Sequence, residues 1–206
     1  MALNIKIFKM LNNKQTLSLF LLILFAFSSC YKQTKKKNNI NNSSDKEIVI
    51  QEKKQNEANA KDILSQRIKN YLTTVFLDES DLKIMPVEDR KFQYTSIDLN
   101  NDGIDEIFVY LNSRSFCGSG GCTFLLLDTN LNLITEFTVT RPPLLVSDTM
   151  ENNWKKLYLL SDGYREMVYN VQNKSYPANP SVEKEVKDFN TKNLTTLFSS
   201  EKTFSY

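Results

Sequence analysis

The sequence predicts a mainly β domain of the α+β kind: an antiparallel β meander with an N-terminal amphipathic helix, following a signal peptide and a flexible tether. Three observations predict it. Short β-rich runs follow one another too closely for crossover helices. One apolar series at helical spacing stands ahead of them. Two N-terminal stretches have compositions that belong to no packed domain. At 206 residues, with 41% hydrophobic and 24% charged side chains, the chain has room for one core plus attachments. Those proportions fit neither a multi-span membrane protein nor a wholly disordered chain.

At the N-terminus, Lys6, Lys9 and Lys14 precede the apolar run 17–27, the n-region and h-region pattern of a secretory signal. A membrane-spanning helix needs about 20 mostly apolar residues, so cleavage is expected rather than a retained span. Ser28 and Ser29 lead directly into Cys30. Here the chain resembles the lipobox of bacterial lipoproteins, with Phe27 where that family usually has Leu or a small aliphatic residue. The resemblance implies that residues 1–29 are removed and that Cys30 is lipidated and becomes the new N-terminus. Two or more acyl chains hold a protein durably at a membrane. Tyr31, rather than Asp, at the second mature position further implies the outer membrane of a bacterial cell envelope.

Residues 30–59 are Lys, Asn, Gln, Ser and Glu with few large apolar side chains, which is the composition of a disordered tether. Lys35, Lys36 and Lys37 lie close to the lipid. They are read as a solvated spacer, the alternative being contact with anionic headgroups at about 1 kcal/mol per charge. Ile48, Val49 and Ile50 could add a short strand. The tether and the leader also hold the basic excess. The first 29 residues carry three Lys and no acid, and residues 30–59 carry seven Lys against four acids. Residues 60–206 carry 16 basic against 20 acidic side chains. The body is mildly acidic, so no nucleic-acid partner is expected.

Residues 60–206 read as a single β-rich domain. Ile63, Leu64, Ile68, Tyr71, Leu72, Val75 and Phe76 fall at helical spacing, with Asn59 as the expected N-cap, and predict a helix over 60–77. Strands are expected at 92–99, 106–112, 123–127, 133–140, 144–147, 157–160 and 166–172. The stretch 182–198 reads equally as a weak helix or as irregular chain.

Two loops carry the specific chemistry. In 98–106, Asp98, Asn100, Asp102 and Glu106 place oxygens at relative positions 1, 3, 5 and 9, with Gly103 at 6 and the Ile104 carbonyl at 7. Alternate oxygens in a tight loop suit Ca2+, a hard cation. An EF-hand also needs Glu at position 12, where this chain has Val109. The loop resembles instead the strand-loop-strand calcium motif of integrin-type propeller repeats and related extracellular β domains. Only one copy is present, so no propeller is implied. The expectation is weak structural Ca2+ binding, about 10⁻⁴–10⁻³ M, and the alternative is a plain hairpin turn at Asn101, Asp102 and Gly103.

The second loop is Cys117-Gly118-Ser119-Gly120-Gly121-Cys122, with three of the chain's five glycines. Once Cys30 is assigned to lipid, the two remaining cysteines make an even number in an oxidising compartment, and a disulfide between them is expected. The alternatives are a redox-active pair, or an anion-holding nest of N–H groups at Gly118, Ser119, Gly120 and Gly121. Together with Thr140-Arg141-Pro142-Pro143 and the Tyr176–Ser181 stretch, these two loops resemble a group of uncharacterised bacterial exported proteins and lipoproteins. That group supplies kinship over roughly residues 92–181 and no activity to transfer.

The chain has no His, hence no imidazole base or ligand, and three Cys cannot make an all-cysteine zinc site. Trp154, Tyr158, Tyr164, Tyr169 and Tyr176 are read as packing before a recognition face. Arg141 is read either as gripping a carboxylate or as capping a strand end. The resulting expectation is a non-catalytic, lipid-anchored cell-envelope protein that binds an unknown envelope protein or ligand, or maintains the envelope. Two alternatives are kept. One is an extracytoplasmic hydrolase using the carboxylates of Asp98, Asp102, Asp105 or Glu106. The other is an inhibitor presenting the loop between Cys117 and Cys122.

Overall fold

Residues 107–111 and 124–127 are apolar at consecutive rather than alternate positions, the pattern of strands buried on both faces. The computed structural model, which describes residues 44–188 and 193–206, covers them on both faces. Residues Ile48–Tyr206 form one compact unit. The signal segment, Cys30 and the Lys35-Lys36-Lys37 run lie outside the described residues.

In chain order come helix α1 (Ser44–Tyr71), a π-helical turn (Leu72–Phe76) and helix α2 (Glu79–Ile84). The strands are β1 (Lys91–Ile97), β2 (Glu106–Leu111), β3 (Cys117–Gly118), β4 (Gly121–Leu127), β5 (Leu133–Glu151), β6 (Trp154–Leu160), β7 (Tyr164–Met167), β8 (Glu185–Val186), β9 (Leu194–Leu197) and β10 (Thr203–Ser205). The pairing order is β10-β1-β2-β4-β5-β6-β7-β8, with β3 added to β4 and β9 to β5, and every pairing is antiparallel. The domain is therefore mainly antiparallel β with a helix ahead of it, as its sequence predicts.

Strand β5 joins two sheets. Its first half pairs with β4, and its second half pairs with β6 on one side and with β9 on the other. Proline cannot donate to a ladder, so Pro142 and Pro143 divide this stretch into two strands when read from sequence. The structure runs one 19-residue strand through them instead. They stand at the corner where one set of partners ends and the next begins, beside Val139 at φ 47°.

The alternation of side chains along β2 and β4 separates two cores. Phe108, Phe124 and Leu126 face Phe137, Leu144, Val146, Leu157, Leu159 and Met167, joining the two sheets face to face. Ile107, Val109, Leu125 and Leu127 face Ile68 and Tyr71 of α1 and Leu72 of the π-helical turn, with Phe92 and Tyr206.

Several expectations are corrected. Helix α1 begins at Ser44, so Asn59 is not its cap, and residues 44–59, assigned to a disordered tether, are helical. Ile48, Val49 and Ile50 lie in that helix rather than in a strand. This half is rich in Lys, Glu, Gln and Ala, with Lys53, Glu57 and Lys61 four apart. Its residues 50, 51 and 53–60 are exposed, so local propensity rather than packing accounts for it. Next, Ile63 and Val75 belong to the apolar series yet are 63% and 70% exposed. Last, the strand expected at 166–172 is Tyr164–Met167, while the described residues of 182–198 hold the end of a 3-10 turn (Pro180–Val182), β8 and β9.

Candidate functional site

The 98–106 loop connects β1 to β2 and closes on itself through side-chain oxygens. The Asp98 carboxylate accepts from the N–H groups of Asn101 at 2.7 Å, Gly103 at 3.0 Å and Asn100 at 3.2 Å. Asp102 Oδ1 accepts from Ile104 N–H at 2.7 Å. Gly103 takes φ 83°, a conformation that a Cβ would strain. Asn100 is the cross-link: its amide nitrogen donates to Asp102 Oδ2 at 3.0 Å and to Glu106 Oε1 at 3.2 Å. The other oxygen of Glu106 accepts from Leu99 N–H at 2.8 Å.

The electrostatics of the loop follow from these contacts. Desolvation pushes the Asp98 carboxyl up, but the N–H groups of Gly103, Asn101 and Asn100 and the charge of Lys155 outweigh it and hold it below its ordinary value. Glu106, only 6% exposed, goes the other way. Burial pushes it up, the Leu99 N–H opposes this, and the charges of Asp102 and Asp98 add to the rise. Among the described residues the ion pairs join Lys156 to Glu151 and Glu166, and Lys184 to Glu166, and none reaches this loop. Lys155 approaches, but its ammonium donates to the carbonyl of Asp98 at 2.8 Å. Among the described residues no group of three or more acidic, Cys or His side chains is placed to hold a metal ion. Two carboxylates, those of Asp102 and Glu106, meet around Asn100, while Asp98 is turned onto the loop backbone. Ile104 has a half-exposed side chain.

The 117–122 loop is closed covalently. Cys117 and Cys122 form a disulfide across the β3–β4 hairpin, with Cα atoms 3.9 Å apart and Gly118 opposite Gly121 in register. Ser119 and Gly120 make the tip. Gly121, at φ 141°, lies so close to β5 that a Cβ would stand 2.5 Å from Val139 C and 2.5 Å from Thr140 N. A Cβ on Gly120 would stand 3.1 Å from Val139 Cγ1. Arg141, whose role sequence left open, donates from its guanidinium to the Ser119 carbonyl. The loop is thus held down on β5 at three points.

The aromatic residues divide. Trp154 stacks on Tyr169 with ring centroids 4.2 Å apart, and Tyr176 meets both edge-on. Tyr176 is buried, and its hydroxyl donates to Lys155 O at 2.6 Å. Burial, then the charges of Glu106 and Tyr169, push that hydroxyl far above the ordinary tyrosine value. Tyr169 and Tyr176 therefore pack in the core rather than form a face, and their cluster lies at the 98–106 end of the domain, where Lys155 N–H donates to Leu99 O at 2.7 Å. Tyr158 and Tyr164 are partly exposed on the opposed strands β6 and β7.

Of the four acids in the hydrolase alternative, Asp105 lines a cleft of about 600 Å³ beside α1 with Arg67, Ile63 and Thr129. Its carboxylate accepts from Ser96 Oγ at 3.1 Å. Sequence reasoning missed the Asn100 bridge, the grip of Lys155 on the loop and the clefts beside α1. The bridge was hidden because Asn100 fits a ligand pattern and a cross-link equally well. The other two join parts of the chain far apart in sequence. Comparison with protein-family models, with curated proteins and with solved structures found no match.

Proposed function

We propose that the chain is a lipid-anchored cell-envelope protein, held through Cys30, whose domain binds a partner rather than catalysing a reaction. The observation that carries this reading is the Cys117–Cys122 disulfide. It pairs the two cysteines left once Cys30 is given to lipid, and structural disulfides persist in oxidising compartments and not in the cytosol. The leader-like segment 1–29 supports the same compartment. Feeding cells a clickable fatty acid tests it. The chain is expected to take up label in the membrane fraction and Cys30→Ala to take up none. Label on the alanine variant, or an unprocessed cytosolic chain with three free thiols, refutes it.

Within this reading the 98–106 loop binds Ca2+ weakly and structurally. Asp98, Asn100, Asp102, the Ile104 carbonyl and Glu106 would hold the ion, and its charge would relieve the repulsion felt by buried Glu106. Support comes from the carboxylates themselves, which have no ion-pair partner among the described residues. Millimolar Ca2+ is expected to raise the melting temperature of wild type and not of Asp98→Ala. An equal response in both refutes the site.

A further inference from the structure

A two-residue turn whose central residues both take positive φ matches the twist of a β-hairpin. Asn152 at φ 57° and Asn153 at φ 64° make such a turn between β5 and β6. The side-chain amide of Asn152 ties it down by donating to Tyr169 O at 2.8 Å. Behind the turn, Glu151 pairs with Trp154 and Met150 with Lys155. Lys155 turns its backbone away from β5: its N–H donates to Leu99 O at 2.7 Å, and its carbonyl accepts from the Tyr176 hydroxyl at 2.6 Å. Met150 and Lys155 are therefore a non-hydrogen-bonded pair, the kind whose side chains stand closest on one face.

Both side chains of that pair reach the 98–106 loop. The Lys155 ammonium donates to Asp98 O at 2.8 Å, and Met150 Sδ accepts from the Asn101 side-chain amide at 2.8 Å. The tip of a hairpin in one sheet thus clasps a loop of the other. Asn101 joins the clasp to the closure of the loop, since its own N–H donates to Asp98 Oδ1 at 2.7 Å. Of these contacts, the one to sulfur is open to chemical change. A thioether is a soft, weak acceptor. A sulfoxide carries its negative charge on the new oxygen and leaves the sulfur electropositive, so the amide hydrogen is repelled from where it now rests. Access is selective as well: Met150 is partly exposed, whereas Met85 and Met167 are 6% and 0% exposed.

We propose that Met150 is an oxidation site through which hydroperoxides open the clasp between the β5–β6 hairpin and the 98–106 loop. The sulfur attacks one peroxide oxygen and the O–O bond breaks. With hydrogen peroxide, that oxygen stays on sulfur as the sulfoxide, and the other leaves as water with both hydrogens. Sulfur gives up two electrons and the peroxide takes them. A thioether sulfur has two lone pairs, and the Asn101 amide covers one, so the oxygen enters at the other and one sulfoxide epimer is favoured. The switch depends neither on the lipid nor on Ca2+.

Hydrogen peroxide on the full-length chain, with Ca2+ chelated, tests it through peptide mapping and amide hydrogen exchange. Met150 is expected to oxidise about tenfold faster than Met85 and Met167. Chromatography of the Met150 peptide separates its two sulfoxide epimers, expected at about five to one. Asn101→Gly takes φ 60° without strain and removes the amide, and it brings that ratio to about one. In the oxidised chain the amides of Asn101 and Lys155 exchange about fivefold faster, while those of Phe108 in β2 and Leu125 in β4 do not change. Met150→Leu, close in volume and without sulfur, gives the same Asn101 and Lys155 rates with and without peroxide. If Asn101→Gly fails to fold, the epimer ratio of the native chain and the response of Met150→Leu still decide. The proposal is overturned by oxidation that does not prefer Met150, by equal epimers in the native chain, by unchanged Asn101 and Lys155 exchange after oxidation, or by a Met150→Leu chain that loosens as much under peroxide. A chain that takes up no fatty-acid label loses the proposed function and leaves this clasp as it stands.

Discussion

The 98–106 and 117–122 loops are both tight connections between antiparallel strands, and they hold their shapes by opposite means. The first is closed by many side-chain oxygens, each accepting from a nearby N–H and each replaceable on its own. The second is closed by one covalent bond and by a glycine seated against the backbone of β5. A loop held by many weak bonds loses stability in small steps, whereas a loop held by a covalent bond and a close backbone approach loses it at once. The first loop also carries opposed electrostatics, with Asp98 held down and Glu106, at the other end of the loop, pushed up. The second carries no charge beyond the guanidinium of Arg141.

The largest effect is expected at Gly121. An alanine there sets a Cβ 2.5 Å from two β5 backbone atoms at a φ of 141°, so β4 and β5 must separate. Gly121→Ala is expected to cost about 3 kcal/mol in urea unfolding. A loss well under half of that would show that β5 yields easily. Next is the disulfide. Reduction, or the paired change Cys117→Ser with Cys122→Ser, removes about 2 kcal/mol by releasing a short ring in the unfolded chain. An unchanged unfolding midpoint would mean that the Arg141 contact and the glycine fit hold the loop unaided.

In the acidic loop the steps are smaller. Asn100→Leu withdraws the donor shared by Asp102 and Glu106 and is expected to cost about 1–2 kcal/mol with Ca2+ chelated. No loss would place the closure of this loop on Asp98 alone. The smallest effect lies at alkaline pH. Tyr176 keeps its proton in the folded chain well above the ordinary 10.0, at which the unfolded chain releases it. Its contribution is therefore complete below pH 10.0 and is lost as pH rises above it, at up to about 1.4 kcal/mol per pH unit. Tyr176→Phe should flatten the alkaline limb of a melting-temperature profile. An unchanged limb would assign it to other buried tyrosines, such as Tyr206, which burial pushes up to about 12.

How much of this was legible varies from element to element. Strands β2 and β4 were, because consecutive apolar residues such as 124–127 have few stable placements other than a doubly covered strand. The disulfide was, because the expectation that Cys30 carries lipid leaves Cys117 and Cys122 as the pair. β5 was misread because proline is a strand breaker everywhere except at an edge or a corner, and sequence does not mark the corner. The start of α1 was misread because charged, Gln-rich and Asn-rich stretches serve both disorder and exposed helix. Ile63 shows the same limit from the other side: its spacing is that of the core face, but its exposed side chain lines an open cleft beside the sheet.

Local chemistry sets local structure here. The periodicity of apolar residues, the turn-forming Asn101-Asp102-Gly103, the two cysteines and the glycines near them act over a few residues, so they can be read wherever they stand. The layering of α1 on one sheet and of that sheet on a second, the hold of Lys155 on the acidic loop and the burial of Glu106 beside Tyr176 depend on contacts between residues tens of positions apart. Such contacts are chosen by how whole surfaces fit and exclude water, and no stretch of chain carries that information alone.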